Sequence, residues 1–161
     1  MKIERDADGG FVFAEVEPPL VELFLAIPPA ADPGGSRAAQ DRLFPDPAAH
    51  KEEALSAEWN ELVRPELREA FENATATVEG DLEPLAAGRD ELTIPLEHMD
   101  AWLNTLNQAR LALAARYGVG EADLNRAAAY PPRDERDLAV SQIHVYGLLQ
   151  ECLIQGLEAE E

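Results

Sequence analysis

The segment Ala101–Ala115 carries one charged residue, Arg110, in a chain that otherwise holds 32 Asp+Glu against 13 Lys+Arg. A helix so poor in charge within so acidic a chain must be covered on most sides, which makes it the expected centre of the fold. Leu96, Met99, Leu103, Leu106, Arg110, Leu113 and Tyr117 form its stripe. Trp102, Ala109, Leu111 and Ala114 widen the apolar surface. The helix is expected to run from about Pro95 to Tyr117, with Gly118 where a helix-terminating glycine belongs. The chain has 161 residues and is 46% hydrophobic, enough to build a core around that helix as a single domain over 1–161. The expected class is mainly α: a bundle of about five helices with a small N-terminal antiparallel β-hairpin.

The flanking segments fit that plan. Residues 2–5 and 11–16 surround Asp6-Ala7-Asp8-Gly9-Gly10, so 1–16 reads as a hairpin. Alternation puts Phe11, Phe13 and Glu15 on one face and Val12, Ala14 and Val16 on the other. Residues 17–157 read as the helical bundle. Pro18-Pro19 opens a buried helix over Leu20–Ile27, and Pro28-Pro29 is expected to stop it, leaving 28–35 as a loop. Ser36 is an N-cap candidate for Arg37–Leu43. Asp46, followed by Pro47, reads as the N-cap of a helix with Ala48, Leu55, Trp59 and Leu62 on its apolar face, ended or kinked at Pro65. The next helix aligns Leu67, Phe71, Ala74, Val78, Leu82 and Leu85. Between Asp46 and Glu97 stand 14 acids against four bases. The simplest reading of that excess is a solvated outer face. Leu92-Thr93-Ile94 is a candidate strand joining the hairpin. Residues 119–133, with Ala127–Ala129 and Pro131-Pro132, read as a linker. The last helix spans about Asp134–Leu157, and 158–161 is an acidic tail expected to fray.

The formal net charge of −19 excludes broad classes of partner. Such a surface repels phosphate backbones and anionic lipid, so neither direct nucleic-acid binding nor membrane docking is expected. Basic proteins remain as partners. No apolar run approaches the length of a membrane span, and the charged start Met1–Asp6 does not resemble a signal peptide. A soluble cytoplasmic protein is expected. Cys152 is the lone cysteine, so no internal disulfide can form. It lies at a core position without a base one turn away, which points to an inert thiol with at most a weak redox role. His50, His98 and His144 fall on three different helices with no metal-ligand spacing. No catalytic motif, metal site or cofactor signature is present, so the protein is not expected to be an enzyme.

Two features of the long helices stand out. Arg110 interrupts an apolar stripe and cannot lose its proton. Either an acid from another helix pairs with it and fixes helix register, or it lines a partner-binding groove. Arg116 suits the negative helix end. On the last helix, Leu138, Val145, Leu149, Cys152 and Leu153 form a main face. Val140, Ile143, Gly147 and Ile154 form a second. That second face packs inside the bundle or serves as an interface, which keeps a homodimer among the alternatives.

Three stretches carry a resemblance: Arg42-Leu43-Phe44-Pro45-Asp46, then Trp102–Leu113 (Trp-Leu-x-x-Leu-Asn-x-x-Arg-Leu-x-Leu) running on to Arg116-Tyr117-Gly118-Val119, and the closing helix around Tyr146–Leu157. They resemble the actinobacterial family catalogued as domain of unknown function 2017, over nearly the whole length. The resemblance implies an oxidative-stress transcriptional regulator that acts through a thiol switch and a protein partner, an alternative sigma factor of RNA polymerase. The family's gene neighbourhood also implies a second role, as a structural or adaptor protein for Clp-type proteolysis. Arg42, Phe44, Arg110 and Arg116 fall in the resembling stretches and are the candidate partner-binding residues. A switch built from two cysteines cannot operate here, because Cys152 is the lone thiol. A non-enzymatic regulator that binds a basic partner, such as a sigma factor or polymerase subunit, is the expected function.

Overall fold

The computed structural model describes residues 1–47, 52–125 and 131–158. His50 and Ala127–Ala129 lie outside them. The elements are β1 (Lys2–Arg5), β2 (Phe11–Ala14), α1 (Pro18–Leu25), α2 (Ile27–Ala31), α3 (Arg37–Leu43), α4 (Glu53–Glu58), α5 (Arg64–Ala86), β3 (Leu92–Ile94), α6 (Met99–Tyr117), α7 (Glu121–Leu124) and α8 (Glu135–Glu158). The class is mainly α with a small antiparallel sheet.

α6 occupies the centre and packs on α2, α3, α5 and α8. Within 101–115 only Asn104 and Asn107 are exposed. The helix ends as its sequence predicts, with Gly118 left-handed at φ 60°, a conformation that costs glycine nothing extra. A 3-10 turn at Leu96–His98 leads into it.

The strands pair in the order β1-β2-β3, with Lys2 opposite Ala14 and Phe11 opposite Ile94. Leu92–Ile94 therefore does join the hairpin. Phe11 and Phe13 face the core. The simple alternation stops at Glu15, whose φ of 55° reverses the chain. This sends Val16 into the core and Glu15 to solvent, and the Val16 N–H donates to the Asp90 carbonyl at 2.8 Å.

Several boundaries differ from the sequence expectations. Pro28 and Pro29 do not stop the helix: after a break at Ala26 they sit in the first turn of α2. A first-turn proline loses no helical hydrogen bond. Ser36 caps α3 as expected, accepting from the Ala39 N–H at 3.3 Å. Asp46 is not a helix cap, since α4 starts at Glu53. Its carboxylate instead accepts from the Ser56 hydroxyl and from the Asn60 amide at 3.4 Å. Pro65 neither ends nor sharply breaks the helix. A π turn over Trp59–Val63 precedes it, and the proline then sits in the first turn of α5. The wider turn absorbs the hydrogen bond that proline cannot make. Leu55 and Leu62, expected on a buried face, are 50% and 57% exposed.

Candidate functional site

A cleft that includes one of the expected residues, Phe44, lies between α2, α3, α5 and α6 and measures ≈ 480 Å³. Each wall follows from its sequence. Pro28, Pro29 and Pro33 give a rigid edge along α2 and the turn after it. α3 ends with Leu43 and Phe44 turned inward, both buried. α5 contributes Arg68, Phe71, Glu72, Thr75 and Glu79, successive positions of one helical face. Gln108 on α6 closes the wall from the core side.

The floor is aromatic. The Phe44 and Phe71 rings lie 5.5 Å apart, and the Arg68 guanidinium carbon stands 4.9 Å above the Phe44 ring, a cation–π distance. Glu72, Glu79 and Asp32 are exposed at the edge. Gln108 is 3% exposed, and its Nε2 has no hydrogen-bond partner among the described residues. An unpaired donor at that depth is costly.

The predicted partner-binding residues are only partly brought together. Phe44 belongs to the cleft, although as a buried floor residue. Arg116 supports its edge, donating from Nη2 to the Asp32 carbonyl at 2.7 Å. Arg42 is exposed in the last turn of α3. Arg110 lies elsewhere, between α6 and α8. The expected carboxylate is absent among the described residues: its Nη1 donates to Gln150 Oε1 at 2.5 Å, and Gln150 Nε2 donates on to the Leu103 carbonyl at 3.0 Å. The neutral amide satisfies Nη1, and Arg110 as a whole is half-buried, so water still shares part of its charge. Its Nε is buried with no hydrogen-bond partner among the described residues. Gly147 leaves space for the guanidinium, whose carbon would stand 3.5 Å from a Cβ at that position.

The proposed second face of α8 divides. Val140 and Ile143 are buried inside the bundle, Gly147 packs on Arg110, and Ile154 is 43% exposed. Leu138, expected on the main face, is 43% exposed as well. Cys152 is half-buried beside an apolar groove of ≈ 280 Å³ that Met1, Ile3 and Leu148 also line. Burial raises its thiol pKa above the ordinary value.

Sequence reasoning missed two polar features. Asp81 on α5 accepts from Trp102 Nε1 at 2.8 Å and from His98 Nδ1 at 2.9 Å. The carboxylate can only accept, so it holds a proton on Nδ1. Asp81 looked like one more acid of a solvated face. Its position one turn from Val78 and Leu85 was the available signal. Gln108 was the other, a polar residue in the charge-poor helix. Among the described residues no group of three or more His, Cys, Asp or Glu is placed to hold a metal. No described helix is long and apolar enough to cross a membrane.

Residues 5–157 match the family described as "Domain of unknown function (DUF2017)", so the chain belongs to that family. No curated protein and no solved structure matches it.

Proposed function

We propose that this DUF2017 protein is a cytoplasmic, non-enzymatic regulator that binds a basic protein partner. The actinobacterial oxidative-stress regulators it resembles make a sigma factor or another RNA polymerase component the partner to test first. One observation carries the reading. α5 presents Glu66, Glu69, Glu72, Glu79 and Glu83 to solvent, in a chain of net charge −19. Opposite charge steers association and raises the on-rate, and it discriminates against acidic surfaces. With Cys152 the lone thiol, the regulation does not run through an internal disulfide.

The test is binding of the full chain to RNA polymerase holoenzyme, measured by interferometry across a salt series. Affinity should fall about tenfold or more from low to high salt, because exposed charges are screened beyond roughly 10 Å at 0.1 M. An affinity that stays flat with salt would remove the charge argument. Binding to Clp components in place of polymerase would move the protein to the proteolysis adaptors. Promoter DNA alone should give no shift at physiological salt.

A further inference from the structure

The cleft floored by Phe44 and Phe71 has more specific chemistry than the acidic face around it. Its floor is apolar, with Phe71 and the prolines of α2. Its edge carries three carboxylates, Asp32, Glu72 and Glu79, while the nearby cations are engaged: Arg68 and Arg64 over the Phe44 ring and Arg116 on the Asp32 carbonyl. Among the described residues, Glu72 and Glu79 enter no ion pair. The inner wall holds Gln108, with an amide donor that has no acceptor among the described residues.

These features narrow the occupant. An acidic ligand would meet three carboxylates. A purely apolar ligand would leave the Gln108 donor unpaired, at a cost of about 1–3 kcal/mol. A bare small cation would satisfy the edge and waste the aromatic floor. An extended peptide with a basic side chain meets all three demands. Its carbonyl accepts from Gln108, its aliphatic stem lies on Phe71 and the prolines, and its charged end reaches the carboxylates. The volume suits a short stretch of chain, since it falls within the usual range of binding pockets, ~300–1,000 Å³.

We infer that this cleft is the peptide-binding site of the protein: it takes an extended, basic segment of the partner, with Gln108 reading the peptide backbone and Glu72 and Glu79 reading a Lys or Arg side chain. The inference rests on the basic-partner reading above and gives it an address.

The experiment titrates the isotope-labelled full chain with a pool of capped pentapeptides centred on Arg, followed by NMR at the Gln108 side-chain amide and at the backbone amides of Phe71–Glu79. A citrulline-centred pool and spermidine serve as comparison probes. The Arg pool should move the Gln108 amide, and Glu72→Gln with Glu79→Gln should weaken it about tenfold. The same charge change at the sheet side, Glu4→Gln with Glu151→Gln, should leave binding unchanged. Both pairs lie on the surface, so folding is not at stake. Equal binding of the citrulline pool or of spermidine overturns the inference. So does a Gln108 amide that stays still while resonances of the outer α5 face move, a result that leaves the basic-partner reading standing. If polymerase binding proves flat with salt and the Arg pool still moves Gln108, the cleft stands and the choice of partner falls.

Discussion

Trp59 and Trp102 are the two tryptophans of the chain, and their settings differ completely. Trp102 is fully buried at the start of α6, among Phe13, Leu85, Leu106 and Tyr146 of the main core, with its indole N–H on Asp81. Trp59 sits half-exposed on the π turn before α5. It touches a small satellite cluster made of Ala39, Leu43, Phe44 and Ala112. Leu55, Leu62 and Val63 beside it reach water. The contrast runs along α5 itself, whose buried residues are Val78, Leu82 and Leu85, all in its second half. The second half of α5 closes the core with one face and shows Glu79 and Glu83 to solvent on the other, while the first half buries no residue fully. Core packing is thus concentrated at one end of the helix, whereas the acids and the cleft wall run along most of its length.

The sharpest way to break this division is to remove each tryptophan. Trp102→Ala should destabilise by ~3–5 kcal/mol, because it opens a large cavity and leaves Asp81 short of a donor. Trp59→Ala should cost about 1 kcal/mol, since only part of its surface is withdrawn from water. Urea denaturation of both variants checks the pair. Equal losses would mean that the α4–α5 end is as much core as the α6 end.

The same division explains what could be read from sequence. The central helix, its Gly118 terminus, the Ser36 cap and the three strands rest on local patterns, and each emerged from residues close together in the chain. Leu55 and Leu62 misled because periodicity reports an apolar face without reporting what covers it. Pro28-Pro29 misled because a proline pair reads equally as a helix stop and as a helix start. Asp81 and Gln108 depend on contacts across the fold. Asp81 meets residues 17 and 21 positions away, and its place one turn from Val78 and Leu85 is a weak local mark among thirteen other acids of that region. Of the cleft, the sequence marks Phe44 as a binding candidate and Phe71 only as part of an apolar helix face, while it gives Arg68 and Gln108 no role.

Arg110 tests whether a charge near the core behaves as core. Its partner is the amide of Gln150, so the cost of truncation is that of a charged hydrogen bond and its packing, smaller than that of a buried ion pair. Arg110→Ala should lower stability by about 1–3 kcal/mol. Arg110→Met, which keeps the stem, should lose less. A loss near 5 kcal/mol would point to a hidden carboxylate and restore the ion-pair expectation.

Two glycines of α8 divide in the same manner. A Cβ at Gly156 would overlap the ring of Phe11, which is 3% exposed and cannot swing away. Gly156→Ala should therefore cost about 1–3 kcal/mol, and Phe11→Leu in the same chain should recover part of it. A Cβ at Gly147 meets Arg110 at ordinary contact distance, so Gly147→Ala should gain up to about 1 kcal/mol from helix propensity. Thermal melts rank the four chains. If Gly147→Ala destabilises, the guanidinium needs more room than the contact suggests.

The smallest expected effect is kinetic and concerns Cys152, half-buried beside the groove at the sheet end. Burial raises its pKa above the ordinary 9.0, so at pH 8 the folded protein holds less thiolate than the unfolded chain. Only the thiolate attacks a disulfide reagent. Labelling should be slower in buffer than in urea, and the inflection of rate against pH should lie higher for the folded protein. The sign for stability follows. Folding favours the neutral thiol, so this contribution is complete below the unfolded pKa and is lost as pH rises through the folded one. Because the group is only half-buried, Cys152→Ser should change neutral-pH stability little, and peroxide should leave it without any internal bridge to form. A fast-reacting Cys152, or a peroxide-induced dimer absent in Cys152→Ser, would show that the groove at the sheet end leaves the thiol open to a second molecule. The thiol would then return to the regulatory mechanism.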